Sequence, residues 1–186
     1  MEIDKKSFFL YLDFHGHSAK KNIFQYGNKI EQLANYRQVM HKMNQPSLFP
    51  LVLSKQFDYF KFDDCTYTMP PSKNSTARVS MFHKLKIPYV FTIEASFAGA
   101  SKGHLSGNHF SSRDLMNVGR YVLEAIWELK KLELNKNLLK QITEEANMLG
   151  KNLNENEDGG DSEGCSSTDE EMQIPEKNRK PAMDII

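Results

Sequence analysis

Residues 8–14 read FFLYLDF, apolar or aromatic at six of seven positions, and the run passes directly into DFHGHS. A nearly continuous apolar segment of that length suits a strand covered on both faces, as in a sheet with helices on each side. The sequence therefore predicts a buried strand over residues 7–14. The polar cluster that follows narrows the choice further. Functional side chains in α/β sheets gather just beyond the carboxyl ends of strands, and Asp13, His15, Gly16, His17 and Ser18 arrive at such an end. In an extended chain Asp13 and His15 lie two residues apart and share a face. A metal-binding histidine holds its second ring nitrogen on an acceptor, which a neighbouring carboxylate supplies. The same D-x-H pair also describes a histidine bonded to its neighbour with no metal at all.

A second β-rich run, IPYVFTIEASF, covers about 88–97. Within it Glu94 interrupts an apolar stretch. Burying an unpaired carboxylate costs several kcal/mol, so Glu94 needs a partner, a role or a solvent-facing position on the strand. Helical patterns surround the two runs. Residues 28–43 carry Ile30, Leu33, Ala34 and Met40 on one side. QPSLFPLVLSKQF reads as a short helix broken by its prolines, and TARVSMFHKL as another short helix. Residues 112–131 give the strongest pattern, with Leu115, Val118, Val122, Ile126 and Leu129 at helical spacing and Ser111 or Ser112 able to cap it. TMPPSKNS and the glycine-bearing SKGHLSGNH read as loops. Strands alternating with helices predict an α/β layer fold.

Charge divides the 186 residues. Residues 1–150 hold 20 Lys/Arg against 14 Asp/Glu, and residues 151–186 hold 4 against 10, so a basic body carries an acidic tail although the formal net charge is zero. A basic body favours anionic partners. Lys20, Lys21 and Lys29 come with no nucleic-acid recognition motif, and no run is apolar and long enough to span a bilayer. Two cysteines a hundred residues apart, one of them in the tail, do not form a disulfide framework, which points to a reducing compartment. Residues 133–150 predict a mostly polar helix. Residues 151–186 are rich in Asn, Glu, Gly and Ser without an aromatic residue, a composition that predicts disorder.

Taken in order, YLDFHGHSAKKNIFQYG, FPLVLSK, Cys65 and KNSTARVSMFHKLKIPYVFTIEASFAG resemble the cytosolic carboxypeptidase branch of the zinc carboxypeptidase family over roughly residues 7–131. The resemblance implies a mixed sheet flanked by helices, residues 1–132 forming the C-terminal portion of the catalytic domain. It implies one zinc ion (Zn2+) and hydrolysis of C-terminal residues, glutamate above all, from acidic polypeptide C-termini such as tubulin tails. It implies a cytoplasmic, cytoskeletal or ciliary location, with neither nucleic acid nor membrane as partner. Residue by residue, His15 falls where the family has its third zinc ligand, Glu94 where it has its catalytic glutamate, and Arg78 of TARV beside the basic part of the specificity pocket. His17 carries no ligand role and shapes the pocket.

The family pattern is incomplete here. Its first two zinc ligands come from an upstream H-x-x-E, and no histidine of this chain has an acidic residue three positions later. Ser72 and Lys73 stand about where the substrate-binding tyrosine belongs, and only twelve residues precede Asp13. A catalytic zinc takes three protein ligands and an open position, so His15 alone predicts weak zinc binding and an inactive chain. Two further readings stay open: a zinc acyl hydrolase of the aspartoacylase type, and a non-catalytic binding module that kept the basic cleft.

Overall fold

In the computed structural model, which describes residues 8–29 and 46–155, the sheet is built around β3 (Val90–Ser96). Its neighbours are β1 (Tyr11–His17) and β2 (Ile23–Tyr26), in the order β1-β3-β2. β1 runs parallel to β3 and β2 antiparallel, so the sheet is mixed. The resulting α/β architecture is the one the resemblance implies.

β3 is central because it is apolar on both faces. Phe91 and Ile93 face a layer made by α1 (Leu48–Ser54) and α3 (Ser112–Leu134), with Phe49 stacked on Phe91 at 5.5 Å. Val90, with Tyr11 of β1, faces α2 (Ala77–Leu85) through Val79 and Phe82. α2 starts at Thr76, whose hydroxyl accepts from the Val79 amide, and α3 starts in a capping box between Ser111 and Asp114. α4 (Lys136–Glu155) packs on α3 and is tied to α1's end by a Lys55–Glu145 ion pair of 2.9 Å.

β1 differs from its sequence reading in place and in cover. The strand occupies 11–17 rather than 7–14, and among the described residues it lies at the sheet's edge with its tip open: Phe14 is 56% exposed. The apolar run measures hydrophobicity, and pairing with β3 sets the register; the partner of His15 is Glu94. The sequence pattern does not predict β2, which at four residues is too short to show a period. It exists because both its edges are paired. Ile23 and Gln25 bond outward to the 59–66 segment through Lys61 N–H to Ile23 O (2.7 Å) and Thr66 N–H to Gln25 O (3.2 Å). Pro50 lies in the first turn of α1, where proline costs little, so α1 is not broken there. The expected helix over 28–43 falls largely outside the described residues. So does the acidic tail, apart from the end of α4, which runs to Glu155.

Candidate functional site

The parallel pairing of β1 with β3 assembles the site. Alternation puts Asp13, His15 and His17 on one face of β1, and register sets Thr92, Glu94 and Ser96 beside them on β3. β2 adds Phe24 next to Glu94 and Tyr26 next to Thr92. His15 and Glu94, 79 positions apart in the chain, are thus direct cross-strand neighbours. α2 covers the Tyr11–Val90 end of this face, and the His15 end stays accessible.

His15 projects an exposed imidazole whose Nε2 lies 3.2 Å from Asp13 Oδ2, the second-nitrogen partner expected from D-x-H. Glu94 lies deeper. Its carboxylate is buried, and Oε2 has no hydrogen-bond partner. Burial raises its pKa above the ordinary 4.5, and Asp13 adds to the rise, while His15 and Lys73 oppose it. His17 is buried beside it, with Nδ1 4.0 Å from Glu94 Oε2 and its ring edge-on to Phe24 at 4.9 Å. Burial lowers the His17 pKa, Lys20 lowers it further, and Asp64 partly offsets them. The two directions favour a neutral imidazole beside a carboxylate that is reluctant to ionise. At 4.0 Å, mutual attraction is the weaker effect, and the pair is a desolvated contact rather than an ion pair.

Arg78 belongs to α2 rather than to the sheet. It is buried at the start of α2, and its Nη1 donates to Gly27 O and to Asn28 Oδ1. Asn28 Nδ2 in turn donates to Val90 O at 2.9 Å. Burial lowers the guanidinium pKa, and Tyr26 partly restores it. Lys73, on the turn before α2, is a lysine whose field reaches Glu94, acting in the same direction as His15. In the sequence Lys73 stands only where a substrate-binding tyrosine is expected, and the signal for the place of His17 is its period-two spacing from Asp13 and His15.

The donor set does not complete a zinc centre. Among the described residues no three His, Cys, Asp or Glu side chains converge as metal ligands. Cys65 is buried in the segment that pairs along β2, where desolvation raises its thiol pKa, and it supplies no thiolate. A single imidazole braced by Asp13 is one ligand of the three that a catalytic zinc needs. No described helix is long and apolar enough to cross a membrane.

Glu94's burial has a consequence for stability. An acid whose folded pKa lies above its unfolded value destabilises the fold when ionised, fully above the raised pKa and not at all below the unfolded one. Glu94→Gln is therefore expected to raise the thermal midpoint at about pH 8, and the gain is expected to shrink as pH falls through the raised pKa toward about 4. Paired melting curves across that range check it. A gain that grows toward acid pH would reverse the sign of the burial argument.

No family profile matches the sequence. Individual relatives do. Cytosolic carboxypeptidase 3 of Bos taurus is 37% identical over 125 residues, 67% of this chain and 12% of the relative. Cytosolic carboxypeptidase 2 of Danio rerio is 40% identical over 111 residues, 59% of this chain and 14% of the relative. Cytosolic carboxypeptidase 2 of Homo sapiens is 34% identical over 125 residues, 67% of this chain and 13% of the relative. The chain thus spans 12% to 14% of the length of these curated relatives. The matches agree with the motif order read from the sequence and with the mixed α/β sheet, and over that shared part the chain belongs to the cytosolic carboxypeptidases.

Proposed function

We propose that this chain carries the Glu94 side of a metallocarboxypeptidase centre. The complete centre would release C-terminal residues, glutamate foremost, from acidic protein tails such as those of tubulin, in the cytoplasm and at cytoskeletal or ciliary structures. The observation that carries the reading is Glu94 itself, a buried carboxylate whose Oε2 has no hydrogen-bond partner, set by register beside an exposed histidine. A carboxylate kept poorly solvated and raised in pKa suits a general base that takes a proton from an attacking water and passes it to the leaving amine. His15 would be one ligand of a single zinc ion whose other protein ligands do not converge on it among the described residues, so residues 1–186 alone would not turn over. Arg78 would contribute the basic wall of the pocket. Its fork has five N–H donors, and those beyond Nη1 would meet an acidic side chain of the substrate.

The test compares two proteins on peptides ending in glutamate or in a neutral residue, with zinc added. One is residues 1–186. The other is the same chain extended upstream with the corresponding segment of a cytosolic carboxypeptidase 2, including an H-x-x-E pair. Release of glutamate by the extended protein alone is expected. Release by residues 1–186 would overturn the incompleteness of the centre. A folded extended protein that binds zinc and cleaves neither peptide would overturn the hydrolytic reading.

A further inference from the structure

Helix α3 bears two apolar stripes. Val118, Val122, Ala125 and Leu129 are buried against the sheet and α1. Met116, Leu123, Trp127 and Leu134 are instead 77, 68, 65 and 88% exposed. With 3.6 residues per turn, these four lie within about 40° of one another and on the opposite side of the helix from the buried stripe. A surface helix ordinarily turns charged and polar side chains to that side. α4 packs on α3 but leaves the second stripe open.

The spacing of the stripe selects its occupant. Met116, Leu123, Trp127 and Leu134 are separated by seven, four and seven positions, the same read in either direction. A two-fold interface requires a patch that complements itself. Two such helices laid antiparallel put Met116 against the partner subunit's Leu134 and Leu123 against the partner subunit's Trp127, so every large side chain meets another. At about 150 Å² for each of four side chains, two copies bury roughly 1,200 Å², the lower end of what a stable interface needs. The basic residues along the stripe do not oppose this contact unpaired. Arg120, Lys130 and Lys131 are held by Glu124, Glu133 and Glu128 of the same helix at 3.0, 3.2 and 2.7 Å.

We propose that this stripe is the interface of a homodimer in which α3 packs antiparallel on α3 of a second copy. The inference is independent of the hydrolytic reading.

Trp127 is the sole tryptophan of the chain, so its emission reports directly on the stripe. The full chain is examined by light scattering and by tryptophan emission from low micromolar to several hundred micromolar concentration. A dimer mass is expected to appear as concentration rises, together with a blue shift of emission. Leu123→Glu is expected to weaken association about tenfold or more and to hold the emission red at the same concentration, with unchanged far-UV dichroism. Met116→Glu, at a still more exposed position, serves if Leu123→Glu does not fold. A monomer with red emission at every concentration would overturn the proposal. So would a monomer whose emission is already blue, since its own chain would then cover the stripe. So would a dimer that neither substitution weakens.

Discussion

Glu94→Gln is expected to cut peptide hydrolysis by the upstream-extended protein about 10²- to 10⁴-fold, the range associated with loss of a general base. The substitution keeps the shape and the burial of the side chain and removes only its capacity to accept a proton. Zinc content is expected to stay unchanged, because Glu94 is proposed as a base and not as a ligand. The fall is expected in kcat and kcat/KM together, since the proton is transferred in the transition state. The parent protein's kcat/KM should also rise along an acid limb displaced above the ordinary glutamate value, in the direction that burial shifts Glu94. Metal analysis and a kinetic pH profile decide the matter. A variant retaining more than about a tenth of the parent rate would remove Glu94 from the base role, and a variant that loses its zinc would place it among the ligands.

Glu94 also shows what was legible in the sequence. An acid inside YVFTIEASF is conspicuous because burial and charge conflict locally, and nothing beyond the strand itself is needed to see it. The D-x-H pair is legible for a similar reason: two-residue periodicity is a property of any extended chain, and the 3.2 Å Asp13–His15 contact follows from it. The strong helix at 112–134 and its cap could be read because helix periodicity and capping chemistry lie within a few residues of each other. The missing pieces depend on distant partners. β2 is four residues whose pairing comes from β3 on one side and from the 59–66 segment on the other. Apolar content could not place β1's boundaries, because hydrophobicity marks a segment for burial while hydrogen bonding chooses the register. Had the strand stayed at 7–14, His15 would lie past its end instead of beside Glu94. The contact of His17 with Glu94 depends on the same register.

The largest expected effect on the fold comes from Arg78. The family resemblance implies for it the role of a cation that meets an acidic substrate, and its surroundings give it a second task. Through Gly27 O and Asn28 Oδ1 it joins the start of α2 to the end of β2, and Asn28 carries the link on to Val90 O at the start of β3. The segment from Gly27 to Asn28 leaves the sheet buried; its donors are taken by Thr66 O and Val90 O, and the guanidinium is what satisfies the acceptors Gly27 O and Asn28 Oδ1. Arg78→Ala withdraws the donors from two buried acceptors at about 1–3 kcal/mol each, and it removes a packed aliphatic stem as well. A loss of about 3 kcal/mol is expected in denaturant titration, a large share of the stability of a domain this size. Arg78→Lys keeps the charge but not the fork, and it is expected to recover only part of that loss. The same variants in the extended protein separate the two tasks under conditions where each stays folded. If the remaining N–H groups meet an acidic side chain, both variants should raise KM for glutamate-ended peptides well beyond any change for neutral ones. Equal changes for both peptides would leave Arg78 as the tie between α2 and the sheet and would pass the acidic preference to another cation, with Lys73, whose field reaches Glu94, the next to substitute.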